Sequence, residues 1–98
     1  MEIKEIIIPF DIEQKLIWKH NVQAYEVEEL FQRSPQIRFV AKGKVSGEDL
    51  YAASGQTDEG RCLIIFFLKK SKSRALVISA REMDTKERKL YAKKRSKK

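Results

Sequence analysis

The sequence predicts an α+β domain built as a strand, two helices, a four-stranded antiparallel meander and a C-terminal helix. Three observations carry that expectation. Residues 63–68 are all apolar, so a strand there is covered on both faces of its sheet. Ile37, Phe39 and Ala41 alternate with Arg38, Val40 and Lys42, the period of a strand with one polar face. Asp84 with Glu87 three residues later is a capping box that opens a basic helix carrying Leu90 and Tyr91.

In chain order, residues 4–10 read as a strand, with Pro9 at an edge or strand end because it lacks an N–H. Asp11 caps the first helix, Gln14 completes a capping-box variant, and Ile12, Leu16 and Ile17 give helical apolar spacing through Trp18. Lys19 and His20 fall in its last turn, where cations complement the helix dipole. Asn21 suits the left-handed residue that ends a helix, and Val22 folds back as the hydrophobic partner of that cap. A second helix covers 24–32, with Val27, Leu30 and Phe31 on one side and Glu26, Glu28 and Glu29 toward solvent, before Ser34-Pro35 stops it. After the strand that starts at Ile37, Gly43 permits a bulge or early turn. Residues 46–48 turn, 49–54 form the next strand, and 58–60 turn again. Residues 61–70 and 74–81 then fold into an antiparallel hairpin about a polar link at 71–73. Pairing Lys69 with Arg74 puts Phe66 beside Val77, Ile64 beside Ser79 and Cys62 beside Arg81. Phe67 with Leu76, Ile65 with Ile78 and Arg61 with Glu82 then share the opposite face.

Ninety-eight residues with 42% hydrophobic content make one domain with a modest core. It is expected to span 1–92, leaving 93–98 as a basic, frayed tail with no apolar face to bury. A single cysteine forms no internal disulfide, and Cys62 within the apolar strand reads as a buried, inert thiol rather than a nucleophile. The N-terminus carries Glu2, Lys4 and Glu5 without a long apolar region, and the run at 63–68 is too short for a bilayer. A cytoplasmic protein with no membrane association is therefore expected.

The net charge of +7 is unevenly placed: residues 86–98 hold eight cations against Glu87, and residues 1–85 are balanced. Within that balanced part, residues 1–60 hold 7 cations and 11 acids, whereas 61–85 hold 6 and 2. An acidic helical half and a basic hairpin half imply one side for a polyanion and another for a different partner. No grouping of Cys, His and carboxylates has metal-ligand spacing and no Gly-rich phosphate loop is present, so neither a metal nor a cofactor is expected.

Lys19-His20-Asn21-Val22, Gly47-Glu48-Asp49, Gly55, Gly60-Arg61, Ile78-Ser79-Ala80-Arg81, Glu87-Arg88 and Tyr91, in this order and spacing, resemble the BrnT family of bacterial toxins. The resemblance runs from about Trp18 to Tyr91. It implies a RelE-like fold, a ribonuclease that halts translation, and a cognate DNA-binding antitoxin of the ribbon-helix-helix type. The chain departs from the family pattern at Asn21, where glycine is usual, and at Leu50 and Leu76, where arginines are frequent. Asn21 tolerates the left-handed backbone that glycine would supply. The two leucines remove cations from the implied RNA site.

Under that resemblance the expected enzyme is a metal-independent endoribonuclease, and its candidate catalytic residues are Arg81, Arg61, His20 and Tyr91. Such cleavage needs the 2′-hydroxyl held against its own phosphate, charge stabilisation at phosphorus, and proton transfer at both ends. Arg61 and Arg81, at one end of the hairpin, suit a bidentate phosphate clamp. Their structural alternatives are a nearby carboxylate for Arg81 and Glu82 across the strands for Arg61. Imidazole suits proton transfer near neutrality, but His20 is equally explained as a cation at a helix end. Tyr91 suits base stacking or proton donation, or docks its helix onto the sheet. Candidate RNA-backbone contacts are Lys69, Lys70, Lys72, Arg74, Lys86, Lys89, Lys93, Lys94 and Arg95, the terminal run reading also as a solubilising tail. Two function classes stay open: a toxin ribonuclease, and a non-catalytic module of the same fold that grips nucleic acid or a repressor.

Overall fold

The computed structural model describes residues 2–95. Its elements are β1 (Glu5–Ile7), α1 (Phe10–His20), α2 (Ala24–Gln32), β2 (Gln36–Ala41), β3 (Leu50–Gln56), β4 (Cys62–Lys69), β5 (Arg74–Glu82) and α3 (Thr85–Arg95). The strands form one sheet in the order β1-β5-β4-β3-β2. β2 to β5 are the expected antiparallel meander, and β1 adds to its far side, parallel to β5, from Glu5↔Arg74 to Ile7↔Leu76.

The all-apolar β4 takes the centre of the sheet, fully buried on one face and, on the other, buried at Ile64 but part-exposed at Phe66 and Leu68, where the expectation was of cover on both. Leu63, Ile65 and Phe67 pack with Ala53, Val77 and Ala80 beneath Leu16 of α1 and Val27, Leu30 and Phe31 of α2. Phe67 meets Phe31 edge-on at 5.4 Å and stacks with Tyr51 at 5.8 Å. On the reverse face, Ile64 is buried with Ala52 and Met83, and Cys62, Phe66 and Tyr91 pack around them half-exposed. The sheet is therefore covered by α1 and α2 on one side, while on the other α3 closes only the end at Ile64 and Met83 and leaves Phe66, Leu68 and Leu76 part-exposed. A Cβ at Gly55 would stand 3.0 Å from Leu30 Cγ, which is how closely α2 approaches β3.

The helix ends follow local chemistry. Asn21 takes the left-handed conformation (φ 53°, ψ 41°), and its N–H donates to the Ile17 carbonyl. The Val22 N–H donates to the Leu16 carbonyl, and the Val22 side chain is fully buried. α1 begins at Phe10 behind Pro9, so Asp11 lies in the first turn instead of capping it, and β1 stops at Ile7. Proline's fixed φ already suits a helix entry, which leaves no role for a cap one residue later. α2 opens with a capping box that sequence reading missed, in which the Gln23 N–H donates to Glu26 Oε1 at 2.9 Å. Glu26 is accordingly buried, 5% exposed, rather than facing solvent. At α3 both bonds of the expected box form: Asp84 N–H to Glu87 Oε1 at 2.9 Å and Glu87 N–H to Asp84 Oδ1 at 2.7 Å. α3 runs past the expected domain end at 92 to Arg95, because cations in a last turn complement the dipole. The remainder of the predicted tail, with Lys97 and Lys98, lies outside the described residues.

The β4–β5 register differs from the expected one. Lys70 N–H donates to the Arg74 carbonyl, closing the link one residue tighter, so that Lys69 pairs with Ala75 and Phe67 with Val77. A bulge at Ile78 then shifts the ladder again: Phe66 pairs with Ser79, Ile64 with Arg81 and Leu63 with Glu82. The extra residue lets Val77 and Ala80, three apart, both reach the core beneath α1 and α2. In β2 the bulge falls between Phe39 and Ala41, not at Gly43. Gly43 is required by close approach, since a Cβ there would overlap the Glu48 carbonyl. No helix of the described residues is long and apolar enough to cross a membrane.

Candidate functional site

Three cross-strand rows make up the sheet face beneath α3. Gln36, Ser54, Ile64 and Arg81 are successive register partners from β2 to β5. Two residues along, Arg38, Ala52, Phe66 and Ser79 form the second row, and Leu50, Leu68 and Leu76 form the third. Above them, Glu87, Leu90, Tyr91 and Lys94 recur at i, i+3, i+4 and i+7, one stripe of α3. Between this stripe and β2 and β3 lies a groove of about 400 Å³, lined by Gln36, Arg38, Ser54, Ile64, Met83, Glu87, Leu90, Tyr91 and Lys94.

Arg81 stands in the first row with its guanidinium turned to α3. Nη1 and Nη2 donate to the two oxygens of Glu87 at 2.7 and 2.8 Å, and Nη1 also donates to the Glu82 carbonyl at 3.2 Å. The guanidinium carbon is 5.8 Å from the centre of the Phe66 ring. Those hydrogen bonds from Arg81 outweigh burial and, with the Asp84 N–H and the charge of Arg38, lower the Glu87 pKa to about 2. A depressed carboxylate stabilises the fold above its unfolded-state pKa, and the contribution disappears as pH falls from 4.5 through about 2. Acid titration of stability should therefore show a loss on the order of 1 kcal/mol over that window, after solvent screening of a partly exposed pair. Glu87→Gln should remove that loss, as followed by thermal unfolding at a series of pH values.

Arg61 serves the other face. Its Nη1 donates to both Glu26 oxygens at 2.7 Å and to the Asn21 carbonyl at 2.8 Å, while Nη2 donates to Glu82 Oε2 at 2.9 Å. It thereby joins the end of α1, the first turn of α2 and β5. Arg61 shares the parity of Leu63 and faces α1 and α2, whereas Arg81, the partner of Ile64, faces α3. The two arginines share an end of the hairpin but form no common clamp. Glu82 bridges them, its carboxylate held by Arg61 and its carbonyl by Arg81.

His20 is the last, exposed residue of α1, on the opposite side of the sheet from α3, and the structure does not bring it to Arg81. Tyr91 packs half-buried against the Ala52, Ile64 and Met83 cluster and lines the groove. Lys94 lines the groove as well, Lys86, Lys89 and Lys93 are exposed on α3, and Arg95 ends that helix. Lys69, Lys70, Lys72 and Arg74 cluster at the opposite end of the hairpin, Lys69 roughly 17 Å and Arg74 roughly 24 Å along the strands from the row of Arg81 at about 3.4 Å per residue. Arg74 is paired there with Glu5 at 2.9 Å. Sequence reading passed over Gln36, Arg38 and Ser54. The alternation of β2 marked Arg38 as polar-face, but only the register sets it on the same face as Arg81.

A family model described as ribonuclease toxin, BrnT, of type II toxin-antitoxin system matches residues 10–87, which leaves Tyr91 and Lys94 beyond its end. No curated protein matches the chain. The crystal structure of the Brucella abortus ribonuclease toxin BrnT has the same fold, with a TM-score of 0.62 at 20% identity over 83% of this chain and 97% of that one. A family match over most of the sequence, on a helix-flanked sheet shared with a solved member, shows that the chain belongs to the BrnT family of ribonuclease toxins, which implies an RNA substrate and an antitoxin partner.

Proposed function

We propose that this chain arrests growth by cleaving RNA at the sheet face beneath α3, with Arg81 as its phosphate-binding residue. The observation that carries the proposal is the Arg81 fork on Glu87, a residue that lines the groove together with Arg38 and Lys94. A phosphate arriving there meets a guanidinium already holding a carboxylate bidentately, and its two non-bridging oxygens take the places of the two carboxylate oxygens on the fork. Glu87, released from Arg81, regains a pKa nearer the ordinary carboxylate range and becomes a stronger base. The 2′-hydroxyl then gives its proton to Glu87 and its oxygen attacks phosphorus. The P–O5′ bond breaks, and Tyr91, one helical turn from Glu87, supplies the proton to the departing 5′-oxygen. Arg81 stabilises the charge that accumulates on the phosphorane. In this scheme Arg61 holds the scaffold, and His20 and the hairpin-turn cations act outside the reacting centre.

One feature favours the second, non-catalytic reading: Leu50, Leu68 and Leu76 make an apolar row on this face, at two positions where the family often carries arginine. Incubating the purified chain with 5′-labelled single-stranded RNA separates the two readings. The proposed reaction leaves 2′,3′-cyclic phosphate ends. Intact RNA would support the binding module instead, and products ending in a 3′-hydroxyl would overturn attack by the 2′-hydroxyl. The partner that fits the proposal is a DNA-binding antitoxin of the ribbon-helix-helix type, meeting the toxin in the cytoplasm. The α1–α2 layer, residues 10–32, holds five acids against two cations and lies on the sheet face opposite α3, which offers the antitoxin a surface away from the RNA side. Co-expression with such an antitoxin should restore growth.

A further inference from the structure

We infer that the groove between β2 and α3 is a base-reading subsite, in which Gln36 and Ser54 recognise one unstacked nucleotide of a single-stranded RNA. The inference rests on the reading of this face as RNA-binding, and it adds a sequence preference to it. Gln36 and Ser54 are register partners, so their side chains stand together on the groove floor. A carboxamide beside a hydroxyl offers donors and acceptors to the hydrogen-bonding edge of a base. Among the described residues neither side chain is hydrogen-bonded to another group, and both are partly exposed. Ile64 and Met83 supply an apolar floor, and Tyr91 on α3 supplies an aromatic ring of the kind on which bases stack.

The flanking charges suit a nucleotide rather than an apolar ligand. Arg38 and Lys94, both exposed, line the groove from β2 and α3 and are placed to hold the sugar-phosphate on either side of the base. The groove volume of about 400 Å³ lies within the ~300–1,000 Å³ range of small-ligand clefts. Gln36 is three strands from Arg81 in one row, and Ser54 two strands, which is about 10–14 Å at the ~4.8 Å strand spacing. The base read is therefore that of a neighbouring nucleotide, not the one whose phosphate Arg81 holds.

The test uses four homopolymeric pentanucleotides carrying 2′-O-methyl groups, which remove the cleavage nucleophile, with binding to the full chain read by fluorescence anisotropy. Wild type should bind the best base at least about fivefold more tightly than the worst. The Gln36→Ala, Ser54→Ala double variant should bring the four within about twofold of one another, with an unchanged salt slope because no phosphate contact is lost. Gln36→Glu, which keeps the volume and replaces donors by acceptors, should change which base is preferred; unchanged circular dichroism shows that the variants fold. A wild-type spread within twofold, a spread that survives the double substitution, or no binding to any of the four would each overturn the inference. Failure of unmodified RNA to be cut while the spread is present would overturn the catalytic proposal and leave the base-reading subsite standing.

Discussion

Replacing Arg81 by alanine is expected to lower RNA cleavage by about 10²–10³-fold, the usual effect of removing one preorganised donor from a developing oxyanion. The loss should fall mainly on kcat, because the charge that the fork meets is greatest in the transition state. Stability should change little. The Arg81–Glu87 pair leaves 38% and 28% of its side chains exposed, and such pairs contribute about 1 kcal/mol or less. Tyr91 and Met83 still dock α3 on the sheet. Arg81→Lys keeps the charge without the planar fork and should recover only part of the rate. Initial cleavage rates, growth after induction and thermal midpoints measured on the same variants decide the matter. A stably folded Arg81→Ala chain with full cleavage rate and full toxicity would remove Arg81 from the mechanism.

Arg61→Ala should act on the fold instead, costing about 3–5 kcal/mol, because it strands a carboxylate in the interior. The Glu26 side chain is 6% accessible, and Arg61 is its ion-pair partner while also holding the Asn21 carbonyl that ends α1. In a chain of 98 residues such a loss lowers the thermal midpoint by at least about 12 °C, at roughly 4–8 °C per kcal/mol. The Arg61→Ala, Glu26→Gln double variant should be less destabilised than the sum of its single changes, by 1 kcal/mol or so, since the buried charge has gone. Urea unfolding of the four species measures this coupling. An Arg61→Ala chain with wild-type stability and abolished cleavage would place Arg61 in the reaction after all.

Arg61 and Arg81 also mark how far the site is legible without a structure. Both arginines are marked by position, next to Gly60 and at the end of Ile78-Ser79-Ala80-Arg81, and both have expected carboxylate alternatives. Glu82 is one of them, but Glu26, the buried partner, is 35 residues from Arg61 and reads as a solvent-facing helix residue. Glu87 reads as a helix cap and proves also to be the partner of Arg81, because one carboxylate has enough lone pairs for both donors. Gln36 and Ser54 carry no sequence signal, being ordinary polar residues 18 positions apart until the register makes them neighbours.

The features legible before folding are local ones. The end of α1 at Asn21, the span of α2, the Asp84–Glu87 box and the central place of β4 depend on groups within a few residues, or on an apolar run that has no polar face to show. Tertiary structure alone decided the register of β4 on β5, the parallel addition of β1, the burial of Glu26 and the assembly of the α3 face. The difference comes down to parity. A strand's side chains alternate, so one residue in a turn or one bulge at Ile78 changes which residues share a face, while the apolar pattern of an all-apolar strand is the same in either register.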